Sequence, residues 1–247
     1  MNSSIKNLAV QIKQCDVVLY VLDARCPRSC LNPSFSEFTS KKPVIFVLNK
    51  ADLAPKPNFA GISLDSTKSN TSNKVTAAIK RLLPNKTRVH AMVIGVPNCG
   101  KSTLINNIVH KAKTKTADKP GVTRVPQWVA SDGNLFLLDT PGILWPNLED
   151  QRVARNLACI GAIKDDILDI IELAEALIFV MQAQSKCVGI PKTLQGFAQK
   201  RGHILAGGKF DLLRSARVLL NEFRAGKFGK FDLDAAPDLP STADEGG

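Results

Sequence analysis

The 247-residue sequence has no long apolar run. Its longest, around Leu177 to Met181, falls far short of the roughly 20 residues that cross a bilayer, so no membrane span is expected. The opening stretch MNSSIKNLAVQIKQCD has neither the compact apolar core of a secretory signal nor the arginine of a transit peptide, and the chain reads as soluble and not secreted. Histidine is scarce. His90 borders an expected strand, His110 closes an expected helix and His203 follows Arg201-Gly202, so each reads as structural or exposed. No Ser/His/Asp arrangement and no metal-ligand cluster stands out. Six cysteines (Cys15, Cys26, Cys30, Cys99, Cys159 and Cys187) are scattered along the chain. The one close pair, Cys26 and Cys30, lacks a histidine or second pair nearby to complete a zinc site. Free thiols in a reducing compartment are the simple reading.

Acidic residues are also in short supply: 22 Asp and Glu stand against 33 Lys and Arg, a net charge of +11. The imbalance is local. Residues 1–94 carry 14 bases against 5 acids, and residues 186–230 carry 10 against 2. Between them, 165–175 holds five acids and no base, and 231–247 holds five more. Basic blocks of this kind suit a polyanion such as nucleic acid, although they also serve simply to solubilise a surface.

A hydrophobic content of 44% supports a real core. The length fits a domain of about 150 residues with a smaller one attached. Helical spacing is seen over 5–15. Strand-length apolar runs follow at 16–24, 43–49 and, more briefly, 60–65. A polar loop (65–74) leads into a basic amphipathic helix ending near Leu83 and Pro84-Asn85. A strand at 88–95 precedes a helix at 101–112, and 125–130 with 134–139 reads as a hairpin. Alternating strands and helices predict a mostly parallel sheet covered on both faces. Residues 149–225 show helical periodicity alone, so a second, all-helical unit is expected there.

GVPNCGKS (95–102) fits G-x-x-x-x-G-K-[ST] between an apolar strand and a helix. Its glycines let backbone N–H groups turn onto phosphates, and the helix start adds its positive dipole end. Lys101 would neutralise the β and γ phosphates while the Ser102 hydroxyl would ligate Mg²⁺. LFLLDTPG (135–142) puts Asp139 at a strand end, where it can hold Mg²⁺ through water, and Gly142 where its N–H can meet the γ-phosphate. Thr123, in the polar loop KPGVTR, can close over both.

VIFVLNKADL (44–53) supplies the base-reading chemistry. A carboxylate at Asp52 accepts from the ring N–H and the exocyclic amine of guanine, whereas adenine presents an acceptor there. Asn49 can tie the loop and touch the base, and the Lys50 stem can cover its face. Guanine therefore fits better than adenine, leaving a P-loop ATPase acting on RNA as the weaker reading. Yet this loop precedes the phosphate loop, the reverse of the usual order.

That order, with VLDARCPRSCLNP, LNKADL, IGVPNCGKSTLIN, KPGVT, LLDTPGILWP and GAIKD, resembles the circularly permuted GTPases of the ribosome biogenesis GTPase A family. The resemblance spans roughly 1–230 and is strongest over 16–165. It implies a circularly permuted P-loop GTPase domain at 1–147 and a helical RNA- or ribosome-binding domain at 148–230, while the Gly-, Pro- and Asp-rich end at 231–247 reads as a flexible acidic tail. It implies GTP and GDP as ligands, Mg²⁺ on Ser102, Thr123 and Asp139, and K⁺ beside Asn98, where a simple loop bend is the alternative. Nucleotide contacts are then expected from Asn49, Lys50, Ala51, Asp52, Asn98, Cys99, Gly100, Lys101, Ser102, Thr103, Thr123, Asp139 and Gly142. ISLDS adds Ser63, Asp65 and Ser66 near the base. The implied partner is a precursor of the large ribosomal subunit and its rRNA, in a bacterial cytoplasm or an organelle matrix, with no oligomer required.

The chain departs from its relatives at the chemistry. Ile143 follows the D-T-P-G motif where many GTPases carry a water-orienting Gln. The family's Phe-Pro-Gly-His-Met motif, with a His proposed to assist, would align its Met with Met1. Either native residues precede Met1, or hydrolysis takes another route, or turnover depends on the ribosome. A GTP-dependent RNA-binding factor with little hydrolysis of its own is the alternative function. The catalytic residue is left open, with Lys101, Thr123 and Gly142 as transition-state or water-positioning candidates. Trp145 reads as an anchor of the switch on the helical unit.

Overall fold

The computed structural model describes residue 8 and residues 10–110, 127–131, 134–145, 148–184 and 191–237. Six strands form one sheet in the order β3-β2-β1-β4-β6-β5. They are β1 (Val17–Asp23), β2 (Val44–Asn49), β3 (Ile62–Ser63), β4 (Val89–Ile94), β5 (Gln127–Ser131) and β6 (Leu135–Asp139). All neighbours pair in parallel except β5 with β6. That exception is the expected hairpin, with Gln127 opposite Asp139 and Ser131 opposite Leu135.

The composition of each strand explains its place. β1 reads VVLYVLD and is buried at all seven positions, as a central parallel strand covered on both faces must be. β5 reads QWVAS and lies at the edge, largely open to solvent. The 60–65 run contributes only Ile62–Ser63, a short edge strand of the kind that offers little backbone for stray pairing.

Helices α1 (Thr71–Leu82) and α2 (Lys101–His110) belong to this sheet layer. Further on come α3 (Gln151–Cys159), α4 (Ile170–Gln184), α5 (Leu194–Arg201) and α6 (Leu212–Arg224). Their starts carry side-chain caps. Asp150 accepts from the Arg152 and Val153 N–H groups, Thr193 from Gly196, and Asp211 from Arg214. The only β pairing in this part, among the described residues, is an isolated antiparallel bridge between Ile204 and Phe210.

One continuous core runs from Val17 and Leu104 through Leu157 and Leu177 to Leu220 and Phe231. Trp145 packs against it, half-buried, in keeping with an anchoring role. Residues 231–237 correct the expectation of a flexible tail. Phe231, Leu233 and Ala236 are buried, the Leu233 N–H donates to the Arg25 carbonyl at 2.7 Å, and Asp234 accepts from the Ser29 hydroxyl at 2.6 Å. Apolar residues alternating with acids let this stretch bury one side and pair the other. Residues 238–247 lie outside the described residues.

Candidate nucleotide site

The motifs converge at the carboxyl ends of the strands, where open α/β sheets bind ligands. β4 sits between β1 and β6, so the phosphate loop that leaves β4 lies beside the loops leaving β1, β2 and β6. The spatial neighbours are the same whichever strand the chain begins with. That is why the reversed motif order costs the site nothing.

Asn49 is the knot of the base-reading side. Its side chain is buried, donating through Nδ2 to the Cys99 carbonyl at 2.8 Å. Its Oδ1 accepts from the Ser66 N–H at 2.9 Å and the Ser66 hydroxyl at 2.7 Å. The loops of NKAD, the phosphate motif and ISLDS are thereby held by one carboxamide. Gly100, at φ 94°, lies so close that a Cβ there would stand 2.2 Å from Asn49 Nδ2. Asp65 is turned to its own loop, accepting from the Thr67 N–H at 2.9 Å. Ser63 and Asp52 are exposed, and Ala51 is half-buried with its N–H donating to the Leu64 carbonyl. An exposed carboxylate at Asp52 is free to meet a base edge.

The head of Lys50 has a role that the sequence did not show. Its ammonium pairs with Asp23 Oδ2 at 3.1 Å and donates to the Asn98 carbonyl at 2.8 Å. The Lys50 head therefore bridges the base-reading loop to the phosphate loop, while its stem lines the cavity. Asp23 is fully buried and held by Arg25, with Nε on Oδ1 at 2.9 Å and Nη2 on Oδ2 at 2.8 Å. Burial pushes the Asp23 carboxyl up, but the Arg25 and Lys50 cations more than offset it and bring its pKa down to about 2. No motif made Asp23 and Arg25 site residues, although VLDAR contains both.

On the phosphate side, Lys101 opens α2 with its side chain buried, and its ammonium donates to the Gly95 and Val96 carbonyls at 3.1 and 2.9 Å. The Ser102 hydroxyl stands 3.3 Å from Asp139 Oδ2. Two hard oxygen donors at the head of a helix fit Mg²⁺ well. Thr103 is exposed and lines the same cavity. Cys99 is fully buried, and burial pushes its thiol up, so it acts through its carbonyl and not as a nucleophile.

Gly142 closes against the loop. A Cβ at Gly142 would stand 2.6 Å from Pro97 Cα and 2.7 Å from Pro97 N, so only glycine lets the D-T-P-G turn approach this near. Ile143 is 8% exposed and lies in the core, and its N–H reaches the Gly95 carbonyl at 3.4 Å. An apolar buried side chain has no part in activating water. Thr123 lies outside the described residues, as do residues 111–126 around it. His203 bonds Ser215 in a buried contact of 2.9 Å, and His90 stacks on Phe136, so neither reaches the site. The side chain of His110 is outside the described residues.

Sequence reasoning missed one wall of the site. A cavity of about 1050 Å³ is lined by the phosphate loop on one side and by Gly161, Lys164, Asp165 and Arg224 on the other. Asn98, at φ 58°, donates from Nδ2 to the Gly161 carbonyl at 2.6 Å. Arg224 grips both Asp165 oxygens at 2.7 and 2.8 Å, and the Cys159 and Ala158 carbonyls. Those hydrogen bonds hold Asp165 below the usual carboxylate range. The quoted GAIKD segment was the available signal, but nothing in its sequence says which surface it faces.

Comparison with known proteins agrees with this geometry. Residues 90–206 match the family described as 50S ribosome-binding GTPase. Ribosome biogenesis GTPase A of Bacillus cereus is 34% identical over 95% of this chain and 91% of its own length. Mitochondrial ribosome-associated GTPase 1 of Xenopus tropicalis is 32% identical over 95% of this chain and 92% of its own. The crystal structure of GNP-bound YlqF from T. maritima superposes with a TM-score of 0.70, covering 96% of this chain and all of that one at 23% identity, and so shares its fold. With its phosphate loop, its NKAD loop and the permuted sheet that joins them, the chain is a GTPase belonging to the ribosome biogenesis GTPase A family.

Proposed function

We propose that this GTPase serves assembly of the large ribosomal subunit, and that its bound nucleotide controls docking on ribosomal RNA. The observation that carries the reading is the 2.6 Å bond from Asn98 in the phosphate loop to Gly161 at the start of GAIKD. A nucleotide that reshapes the phosphate loop acts directly on the segment leading to α4, α5 and α6. Helices α5 and α6 and the turn between them present exposed Lys200, Arg201, Lys209, Arg214 and Arg217, the basic surface suited to RNA phosphates. In this reading residues 1–147 form the GTPase unit and 148–230 the docking unit.

The site residues take the following roles. Asp52 selects guanine through its carboxylate, Asn49 orders the loop, and Lys50, Ala51, Ser63, Asp65 and Ser66 complete the base side. Gly100, Lys101, Ser102 and Thr103 hold phosphate, while Thr123, Asp139 and Gly142 respond to the γ-phosphate. Ser102 and Asp139 would hold Mg²⁺, joined by Thr123. Bound there, Mg²⁺ would neutralise charge on the β and γ phosphates. The Asn98 carboxamide oxygen would offer a ligand to K⁺, a role tested by comparing hydrolysis in K⁺ and Na⁺ buffers. Equal rates would rule it out.

With Ile143 buried, the reading assigns slow turnover to the chain alone and faster turnover to the ribosome-bound form. The relatives named above support a bacterial cytoplasm or an organelle matrix as its setting. GTP hydrolysis measured with and without purified large subunits tests this. Strong stimulation supports a ribosome-activated GTPase, and an unchanged rate contradicts it.

A further inference from the structure

On the sheet face opposite α2, four side chains are arranged in a ladder that serves no purpose in the nucleotide site. His90 of β4 stacks on Phe136 of β6, with ring centroids 5.0 Å apart and 16° between planes. Trp128 of β5 stands edge-on to His90 at 5.3 Å. The Arg88 guanidinium lies 5.5 Å over the Phe136 ring. Strand alternation explains how they meet. Val129 and Ser131 of β5 turn toward α2, where the Ser131 hydroxyl reaches the Ile108 carbonyl, while Trp128 and Ala130 point the other way. His90 is register partner of Phe136, which is partner of Ala130.

These rings do not behave as core. Trp128 is 41% exposed, Phe136 is half-buried, and neither is among the side chains packed against the hydrophobic core. An exposed tryptophan continuous with two further rings makes an apolar patch of the kind that marks a contact surface. The charges beside it say which partner. Lys86 and Arg88 are exposed where the chain enters β4. Lys42 reaches the Lys13 and Cys15 carbonyls just before β1, the neighbour of β4. Among the described residues the acid beside them is Asp16, which pairs with Lys86 at 2.6 Å and accepts from the His90 N–H at 2.9 Å. A planar cation over a ring, an exposed tryptophan beside two half-buried rings and a flanking ammonium group are what unstacked nucleobases and their phosphates require.

We propose that Trp128, His90, Phe136 and Arg88 form a stacking platform for single-stranded RNA bases. It is built on β4, β5 and β6 and uses no residue of the basic helices α5 and α6. The proposal rests on the reading that RNA is this protein's partner, and it adds a second contact carried by the GTPase unit itself. Trp128 lies one position from Gln127, the register partner of Asp139, so the platform shares a strand pair with the phosphate-sensing end of β6.

The chain has two tryptophans, so Trp145→Phe leaves Trp128 as the sole indole reporter. A ten-nucleotide single-stranded oligoadenylate and a duplex RNA of equal length are titrated into this full chain. The platform predicts that the single strand quenches the emission and that the duplex does so far less. Trp128→Leu and Arg88→Ala, in the otherwise unchanged chain, weaken single-strand affinity about tenfold. Unchanged GDP affinity in those variants shows that they are folded. If the chain binds neither RNA, the platform and the RNA reading fall together. If it binds RNA with unchanged emission, and Trp128→Leu binds as tightly, the platform alone falls. Equal loss for single strand and duplex also overturns it, as does weakened binding to large subunits with oligoadenylate affinity intact, which would make the face a protein contact.

Discussion

Asp23 and Arg25, two residues apart at the end of β1, form a bidentate ion pair with both side chains excluded from water. The pair extends in two directions. Lys50 of the base-reading loop joins Asp23, while Arg25 donates to the Phe223 carbonyl at 3.4 Å and lies 5.2 Å over the Phe223 ring. One carboxylate thus links the NKAD loop to the last helix, across almost 200 positions of sequence.

Removing the carboxylate charge leaves two cations without their partner. Asp23→Asn should destabilise the chain by about 3–5 kcal/mol, as breaking one side of a buried pair does. The native pKa of about 2 lies below the unfolded value of 3.8. Its stabilisation is therefore complete above the unfolded pKa and is lost as pH falls toward 2. Urea unfolding at pH 7 and near pH 3 checks both statements, and Asp23→Asn should show a smaller loss between those pH values than the parent.

Asn49→Ala removes three hydrogen bonds at once and leaves the Cys99 carbonyl and the Ser66 N–H and hydroxyl to find others. Guanine nucleotide affinity should fall by about 10- to 100-fold, with a smaller effect on the thermal midpoint. Fluorescent GDP titration and a melting curve separate the two.

Asp52→Asn exchanges an acceptor for a group that also donates. Xanthine carries a carbonyl where guanine carries its exocyclic amine, so the variant should lose GTP and gain xanthosine triphosphate by about 10- to 100-fold each. Competition between the two nucleotides reads this directly. Unchanged preference would remove Asp52 from base recognition.

At Gly142, a methyl group would overlap Pro97, so Gly142→Ala must push the D-T-P-G turn off the phosphate loop. A displacement near 1 Å can cost about 100-fold in rate. Hydrolysis should fall on that scale while GDP affinity changes little, since GDP lacks the γ-phosphate the turn responds to.

The motifs themselves were legible because each is local. GVPNCGKS, NKAD and DTPG are short runs whose chemistry is written in consecutive residues, and the alternating apolar runs placed them at strand ends. The permutation was legible from their order. Long-range partners were not. Arg224 reaches Asp165 over 59 positions, and nothing near either residue marks the pair. Asp234 looked like tail charge, yet it bonds the N–H groups of Arg28 and Ser29 and the Ser29 hydroxyl, all of which are found only by folding. The stem of Lys50 reads as a cover for the base, but the place of its ammonium is set by the buried Asp23 at the end of neighbouring β1, which no local run reveals. Trp128 and Phe136 read as ordinary strand residues, because which rings share a sheet face is set by the register of β4, β6 and β5.

The most direct test of the account is the affinity of this chain for purified large ribosomal subunits, measured with a non-hydrolysable GTP analogue and with GDP. If Asn98 and Gly161 transmit the state of the phosphate loop, the analogue complex should bind about tenfold more tightly, a coupling within the usual allosteric range. Asn98→Ala should shrink that difference. Equal affinity in the two nucleotide states would contradict nucleotide-controlled docking.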